Sequence, residues 1–105
     1  MNKVFISVKR ELAHSPETIN TIKKWEKKGL VNVFVQKYSF KKGQEKEMMK
    51  KALDEISNCD IFVATGTISI GVGIEVGIAY ALGKKIYIEM EETSATLKGV
   101  MNNVG

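Results

Sequence analysis

Glu75 is the residue of this sequence best suited to chemistry, because it is the one charge in the apolar stretch SIGVGIEVGIAYA (69–81). The hydrophobic pattern predicts a helix over 73–82, closed by Gly83, with Glu75 in its first turn. A carboxylate there can simply offset the helix dipole, which is worth about 0.3–1 kcal/mol. The rest of the helix is apolar nearly all round, which predicts a buried helix opening on a cleft. A carboxylate in such a cleft can act as a nucleophile at a sugar anomeric carbon.

Three glycines, Gly66, Gly71 and Gly73, precede Glu75 and allow a backbone to approach a ligand closely. The helix that follows offers unpaired N–H groups and a partial positive charge at its N-terminus, which suits an anion. Thr67 and Ser69 add hydroxyl groups to the same loop. The glycines can equally serve only a tight turn and close helix packing. The spacing G-V-G-I-E-V-G does not match the dinucleotide motif GxGxxG, since the third glycine comes one place late.

Alternating strands and helices surround this loop. Strands are predicted over 3–8, 31–36, 60–65 and 85–90, and helices from Ser15-Pro16 to Gly29 and over 44–58, 73–82 and 94–103. The alternation predicts one α/β domain over 1–105, with a flavodoxin-like, doubly wound, mostly parallel sheet of order 2-1-3-4(-5). Ligands of such sheets bind outside the carboxyl ends of the strands. The loops after strands one, two and three are therefore expected to form the site.

Composition narrows the function classes. The 105 residues carry a net charge of +4, and the basic residues are spread along the chain rather than clustered with aromatic residues. This predicts no nucleic-acid binding, although a modest positive field favours small anions. The single cysteine, Cys59, favours a buried inert thiol in a reducing compartment, so we expect a cytoplasmic protein. No apolar run is long enough for a membrane span, and no set of histidines and cysteines suggests a metal site or a cofactor.

The block CDIFVATGTISIGVGIEVGIAYALGKKIYI (59–88) resembles the signature of the nucleoside 2-deoxyribosyltransferase family. The shared positions are Asp60, Ser69, Gly71, Gly73, Glu75, Gly77, Ala79 and Ala81. The resemblance implies a flavodoxin-like homodimer that acts on a small nucleoside or nucleotide. It also implies that Glu75 attacks the deoxyribose anomeric carbon and releases the base. Ser69 resembles the branch that hydrolyses 2′-deoxynucleoside 5′-monophosphates, whose serine binds phosphate where the transferases carry an aspartate.

The resemblance implies further site residues, although this sequence departs from the family's pattern at several of these positions. The family's aspartate on the second helix corresponds to Ala52, which leaves Glu55, one turn away, as the candidate proton donor. Without a donor, base departure should slow by about 10²–10⁴-fold. The loop after strand one has no glycine, but Ser7 and Arg10 can contact substrate or phosphate. Lys98 stands nearest to a second phosphate-binding serine of the hydrolase branch. Asp60, Gly66, Thr67, Ser69, Gly71 and Gly73 complete the predicted substrate contacts.

Two other classes fit parts of the sequence. A Toll/interleukin-receptor-like domain shares the VFIS strand and a glutamate on a later helix, and some members cleave NAD at the same type of bond. A non-catalytic nucleotide-binding module fits the alanine at position 52. An enzyme releases base and loses this activity in Glu75→Ala, whereas a binding module releases none.

Overall fold

The computed structural model of the chain describes residues 2–90 and 94–101. Along these residues the strands are β1 (Asn2–Val8), β2 (Gly29–Val33), β3 (Ile61–Thr65) and β4 (Lys85–Glu89). The helices are α1 (Pro16–Glu26), α2 (Phe34–Lys37), α3 (Glu45–Ser57), α4 (Ile70–Ala81) and α5 (Ala95–Val100), and a 3-10 turn follows β1 at Arg10–Leu12.

The four strands form one sheet of order β2-β1-β3-β4, in which every neighbouring pair is parallel. This confirms the predicted α/β class and strand order; a fifth strand does not occur within residues 2–90 and 94–101. Ser7 lies opposite Ala64, and Thr65 lies opposite both Val8 and Glu89. The strands therefore end level with one another, and we call this side of the sheet the carboxyl edge.

Alternate residues of the strands point to opposite faces of the sheet. Val4, Ile6 and Val8 of β1 pack with Trp25 of α1 on one face. Phe5 and the other buried residues of the second cluster pack with α2, α3 and α4 on the opposite face; the cluster comprises Phe34, Ala52, Ile56, Cys59, Phe62, Ala64, Val72, Val76, Ala79 and Ile86. β1 and β3 thus contribute buried residues to both faces, which agrees with their nearly continuous apolar sequences.

Two predicted helices are confirmed closely. Ser15 caps α1, because its Oγ accepts a hydrogen bond of 3.2 Å from the Thr18 N–H, and Pro16 is the first helical residue. The helix predicted over 44–58 is α3, Glu45–Ser57.

Cys59 is buried as predicted, and this burial raises the pKa of its thiol to about 11, so the thiol is protonated at neutral pH.

The prediction for the second strand was wrong by two residues at one end and three at the other. β2 begins at Gly29, which was expected only to end α1, and it stops at Val33 because residues 34–37 turn into α2. Gly29 is needed for a different reason: a Cβ atom there would lie 2.2 Å from the Asn2 carbonyl oxygen. The close pairing of β1 and β2 therefore requires glycine at this position.

The helix predicted over 73–82 begins three residues earlier, at Ile70. Ser69 is its N-cap, since its Oγ accepts a hydrogen bond of 3.2 Å from the Val72 N–H. Glu75 is consequently the sixth helical residue, and no acidic residue occupies the first turn. The prediction of a first-turn carboxylate was wrong, because the capping serine starts the helix before the two glycines rather than after them.

The expectation that α4 is buried all round was also wrong. Val72, Val76 and Ala79 are buried against the sheet, whereas Ile70 is 86% exposed and Tyr80 59% exposed. The helix therefore has an apolar face that no described residue covers. The last predicted helix, 94–103, appears as Ala95–Val100, and residues 102 and 103 lie outside the described residues. No helix among the described residues is both long enough and apolar enough to cross a membrane.

Candidate active site

Glu75 and Ser7 meet at the carboxyl edge although 68 residues separate them. Ser7 is the penultimate residue of β1 and points to the face on which α4 packs. Its Oγ donates a hydrogen bond of 2.6 Å to Glu75 Oε1. Ser7 is only 1% exposed, and Glu75 is half-buried on the inner side of α4. The parallel sheet thus brings a carboxylate and a buried hydroxyl together where ligands of this fold bind.

The surroundings of Glu75 favour its neutral form more than water does. Burial raises the pKa of the Glu75 carboxyl above its usual value of 4.5, and the hydrogen bond from Ser7 lowers it in part. The helix dipole contributes little to its charge, because Glu75 lies in the second turn, where the dipole field has fallen off. The Ser7 hydroxyl, rather than the end of the helix, therefore stabilises the charged form.

The turn between β3 and α4 is built around one obligatory glycine. Gly66 has φ +83°, and a Cβ atom there would lie 3.1 Å from Leu12 Cδ1. Gly66, the exposed Thr67 and Glu89 are among the residues that line a cleft of about 650 Å³. Ile68 borders this cleft and also a second groove between α4 and α5. The turn thus separates two openings at the carboxyl edge.

No close contact with the described residues requires glycine at the glycine positions of α4. A Cβ atom on Gly71 or Gly73 would have its nearest neighbour at 4.0 or 3.9 Å, and one on Gly77 would have none within 4 Å. Gly77 therefore makes no close packing contact with any described residue. Glycine in a helix costs about 0.5–1 kcal/mol relative to alanine. Packing among the described residues therefore does not account for these glycines.

The sequence model of a family described as nucleoside 2-deoxyribosyltransferase matches residues 4–104. The chain belongs to the nucleoside 2-deoxyribosyltransferase family. It is therefore an enzyme of a family that cleaves or transfers N-glycosidic bonds, and the Toll/interleukin-receptor-like interpretation loses its basis.

A solved structure supports this membership. CMP N-glycosidase BcmB of Clostridium botulinum is similar to this chain, with a TM-score of 0.66 and 26% sequence identity. The match covers 93% of this chain and 79% of the other. The comparison with curated proteins gives no match.

Asp60, which the family resemblance assigns to substrate, lies far from Glu75 along the strands. It precedes β3 at the amino edge of the sheet and is exposed. Its carboxylate accepts a hydrogen bond of 2.7 Å from the Lys3 N–H, and its own N–H donates to the Lys3 carbonyl at 2.8 Å. In this structure Asp60 ties the start of β1 to the start of β3, and it does not contribute to the carboxyl edge.

Glu55, the candidate proton donor, is likewise not brought to Glu75. Its Oε1 accepts hydrogen bonds of 2.7 Å from both Lys37 Nζ and the Tyr38 hydroxyl. The bond from Lys37 and that from Tyr38 lower the pKa of the Glu55 carboxyl. Glu55 also lines a depression of about 460 Å³ together with Lys3 and Asn58, which lie at the amino edge. A carboxyl group that is charged and at the wrong edge is a poor proton donor to a departing base.

The two predicted phosphate-binding cations lie on elements that follow β1 and β4 along the chain. Arg10 is exposed in the 3-10 turn after β1, and Lys98 is exposed on α5. Ser94 was not predicted as a site residue. It caps α5 and lines the groove of about 590 Å³ between α4 and α5, beside Gly73 and Gly77. The S-A-T-L spacing, a serine before a short apolar helix, was the signal for this cap.

Proposed function

We propose that this enzyme cleaves the N-glycosidic bond of a nucleoside 5′-monophosphate or nucleoside, with Glu75 as the nucleophile. The observation that carries the proposal is the Glu75 carboxylate, half-buried at the carboxyl edge and hydrogen-bonded through Oε1 to Ser7. Membership of the family and the likeness to a CMP N-glycosidase support the reaction class. A 5′-monophosphate is the favoured substrate, because the neighbour's printed substrate is one and because Ser69 stands at the position of the hydrolase branch.

The reaction runs in two displacements. Glu75 Oε2 attacks the anomeric carbon, the bond from that carbon to the base nitrogen breaks, and the base leaves with the electron pair. The sugar is then held as an ester of Glu75. Water, or a second base in a transfer, attacks the same carbon from the opposite face, and the electron pair of the ester bond returns to the carboxylate.

The 5′-phosphate binds at the start of α4 in this proposal. Ser69 caps the helix as an acceptor, so its own hydroxyl hydrogen can still be donated to an anion. The first backbone N–H groups of the twelve-residue helix point the same way. Ser69 and Glu75 are six residues apart, or about 9 Å along the axis, which leaves room for the sugar between them. Thr67, Gly71 and Gly73 border this path in the proposal, and Arg10 and Lys98 are the candidate cations for the phosphate.

Neither position considered for a proton donor, Ala52 or Glu55, can protonate the departing base. Ala52, at the position of the family's aspartate, is 1% exposed and packs in the core. Glu55 is held by Lys37 at a distance from the site. Proton transfer from solvent then limits the rate, and bases that leave easily or are already protonated should react fastest.

A second copy of the chain covers the outer face of α4. Ile70, Ile74 and Tyr80 are 86%, 48% and 59% exposed on this face, which carries no charged side chain. Exposed apolar patches of this kind mark interaction sites. A two-fold arrangement sets α4 against its own copy, and Gly73 and Gly77 let the two helices approach closely.

The proposal is tested by chromatography of released base. The protein is incubated with CMP, the four deoxynucleoside monophosphates, the matching nucleosides and NAD. We expect release from a monophosphate and a fall of at least about 10³-fold in Glu75→Gln, as when other covalent nucleophiles are removed. Glu26→Gln is the control, since Glu26 is an exposed glutamate at the end of α1, at the amino edge of the sheet.

Three outcomes contradict the proposal. Release that survives in Glu75→Gln would exclude Glu75 as the nucleophile. Release from NAD alone would exclude the substrate class. No release from any compound, together with a thermal shift on adding a monophosphate, would identify a binding module on an enzyme's fold.

A further inference from the structure

The hydroxyl of Ser7 has one partner within residues 2–90 and 94–101, the Oε1 atom of Glu75. Ser7 stands in a strand whose other inward-facing residue near this edge, Phe5, is fully buried and apolar. A polar side chain at such a position is retained only if it satisfies a polar group. The contact is short, at 2.6 Å, as expected when the acceptor carries a charge.

We propose that Ser7 is a positioning residue of the glycosidase reaction: its hydroxyl binds Oε1, leaves Oε2 as the attacking oxygen, and stabilises the Glu75 carboxylate. This inference rests on the proposed function of Glu75. It changes the expected role of Ser7, which the resemblance assigned to substrate binding. A buried strand residue that donates its single proton to Glu75 has no second proton for a substrate group.

Ser7 acts on both halves of the reaction, but in opposite directions. In the first displacement its hydrogen bond lowers the charge density of the nucleophile and slows attack slightly. In the ester, Oε1 is the carbonyl oxygen and still accepts the Ser7 proton. When water attacks the anomeric carbon, the bond from that carbon to Oε2 breaks and Ser7 stabilises the carboxylate that leaves. Loss of Ser7 should therefore slow the second displacement more than the first.

Among the described residues of the elements packed against α4, no charged group is a cause of the shift in the pKa of Glu75. The elements packed against α4 are β1, β3, β4, α3 and α5. Their ionisable side chains within the described residues are Lys3, Lys85, Tyr87, Glu89, Glu45, Lys46, Glu47, Lys50, Lys51, Asp54, Glu55 and Lys98. None of them shifts the pKa of Glu75, which burial raises and Ser7 lowers. Removing the hydroxyl should thus raise this pKa further, and the acid limb of the rate profile should move to higher pH.

The test compares Ser7→Ala, Ser7→Thr and the unaltered protein. Base release is measured against pH, and intact mass is recorded during turnover. We expect Ser7→Ala to lose about 10- to 100-fold in rate at neutral pH, the usual effect of a hydrogen bond to a charged group. We expect recovery toward higher pH, accumulation of the sugar ester on the protein, and restoration by Ser7→Thr, which keeps the hydroxyl.

A second measurement does not depend on activity. The carboxyl carbon of Glu75 is followed by NMR during a pH titration of protein labelled with ¹³C-glutamate, and its signal is assigned by its absence in Glu75→Gln. Ser7→Ala should raise the titration midpoint. Thr65→Val, the control, removes a buried strand hydroxyl that bonds to Thr21 and the Glu89 carbonyl on the other side of β3. That control should leave the midpoint unchanged.

The two readouts separate the possible failures. An unchanged midpoint in Ser7→Ala, or a rate profile that falls equally at every pH without ester accumulation, would overturn the role of Ser7. A raised midpoint in a protein that releases no base would support the role of Ser7 in charging Glu75 while the proposed function fails.

Discussion

The Ser69 hydroxyl accepts a hydrogen bond from the backbone N–H of Val72, and this contact decides where Glu75 lies. A helix begun at Ser69 puts Glu75 in its second turn, on the side that faces β1. A helix begun at Gly73 would instead hold Glu75 at its open end. The cap therefore separates two functions along one helix: the first turn is left for an anion, and the second turn holds the nucleophile.

Substitution of Ser69 should distinguish the cap from the phosphate contact. Ser69→Ala should destabilise the fold by about 0.5–2 kcal/mol, the usual cost of losing an N-cap. Ser69→Asp keeps a capping oxygen but places a negative charge against the phosphate. We expect Ser69→Asp to retain the melting temperature, to raise KM for monophosphates, and to leave the nucleosides unaffected. Thermal melts and KM for a matched nucleotide and nucleoside measure this. Equal KM changes for both substrates would argue against phosphate binding at Ser69.

The sequence allowed the sheet to be predicted but not the details of its edge. Strand order follows from the alternation of elements, and the N-cap of α1 from Ser15-Pro16-Glu17, because these signals are local. The bond from Ser7 to Glu75 depends on the register of β1 against β3 and on the rotation of α4, which no short motif contains. The rotation of α1 could not be predicted from residue types either, because the polar Thr18 is buried while the apolar Ile19 is 40% exposed.

The charge on Glu75 should make the protein less stable at neutral pH. The pKa of this carboxyl is about 4.5 when unfolded and is raised by burial when folded. The folded state therefore binds protons more tightly, and its stability falls as pH rises from about 4.5 through the folded pKa. Glu75→Gln keeps the acceptor for Ser7 without the charge. We expect it to melt at a higher temperature than the unaltered protein at pH 7, and at the same temperature below pH 4.

Glu55→Gln is the control of opposite sign for this measurement. The pKa of the Glu55 carboxyl is lowered by its hydrogen bond from Lys37, so its charge stabilises the fold above the unfolded pKa and the benefit disappears in acid. Glu55→Gln should therefore melt lower than the unaltered protein at pH 7 and equal to it in acid. The measured quantity is the difference in melting temperature between Glu75→Gln and the unaltered protein. If this difference is the same at every pH, a buried charge on Glu75 is excluded.

Alanine at Gly77 should stabilise the single chain and weaken the dimer. The position has open space around it in the described structure, so a methyl group fits and the helix gains about 0.5–1 kcal/mol. In a dimer through α4 the same methyl separates two helices in contact. We expect a higher melting temperature in dilute solution and a dimer dissociation constant at least tenfold higher by analytical ultracentrifugation.

The control for this prediction is Leu30→Ala, which removes an exposed apolar side chain far from α4. Gly43→Ala is unsuitable as a control because Gly43 has φ +95°. A dimer that is unaffected by Gly77→Ala but lost in Leu30→Ala would show that the interface lies at β2 rather than at α4.

Removal of the Asp60 carboxylate should affect folding rather than catalysis. The carboxylate accepts a hydrogen bond from the Lys3 N–H at the amino edge, at the opposite end of β3 from Thr65 and the turn that leads to Glu75. Asp60→Ala should therefore lower stability by about 0.5–1.5 kcal/mol, the net value of one hydrogen bond. Because the carboxyl edge is unchanged, kcat and KM should stay within about twofold at temperatures well below the melting transition. Denaturant melts and steady-state base release measure the two effects separately. A large rise in KM without loss of stability would restore the role in substrate binding that the family resemblance implies.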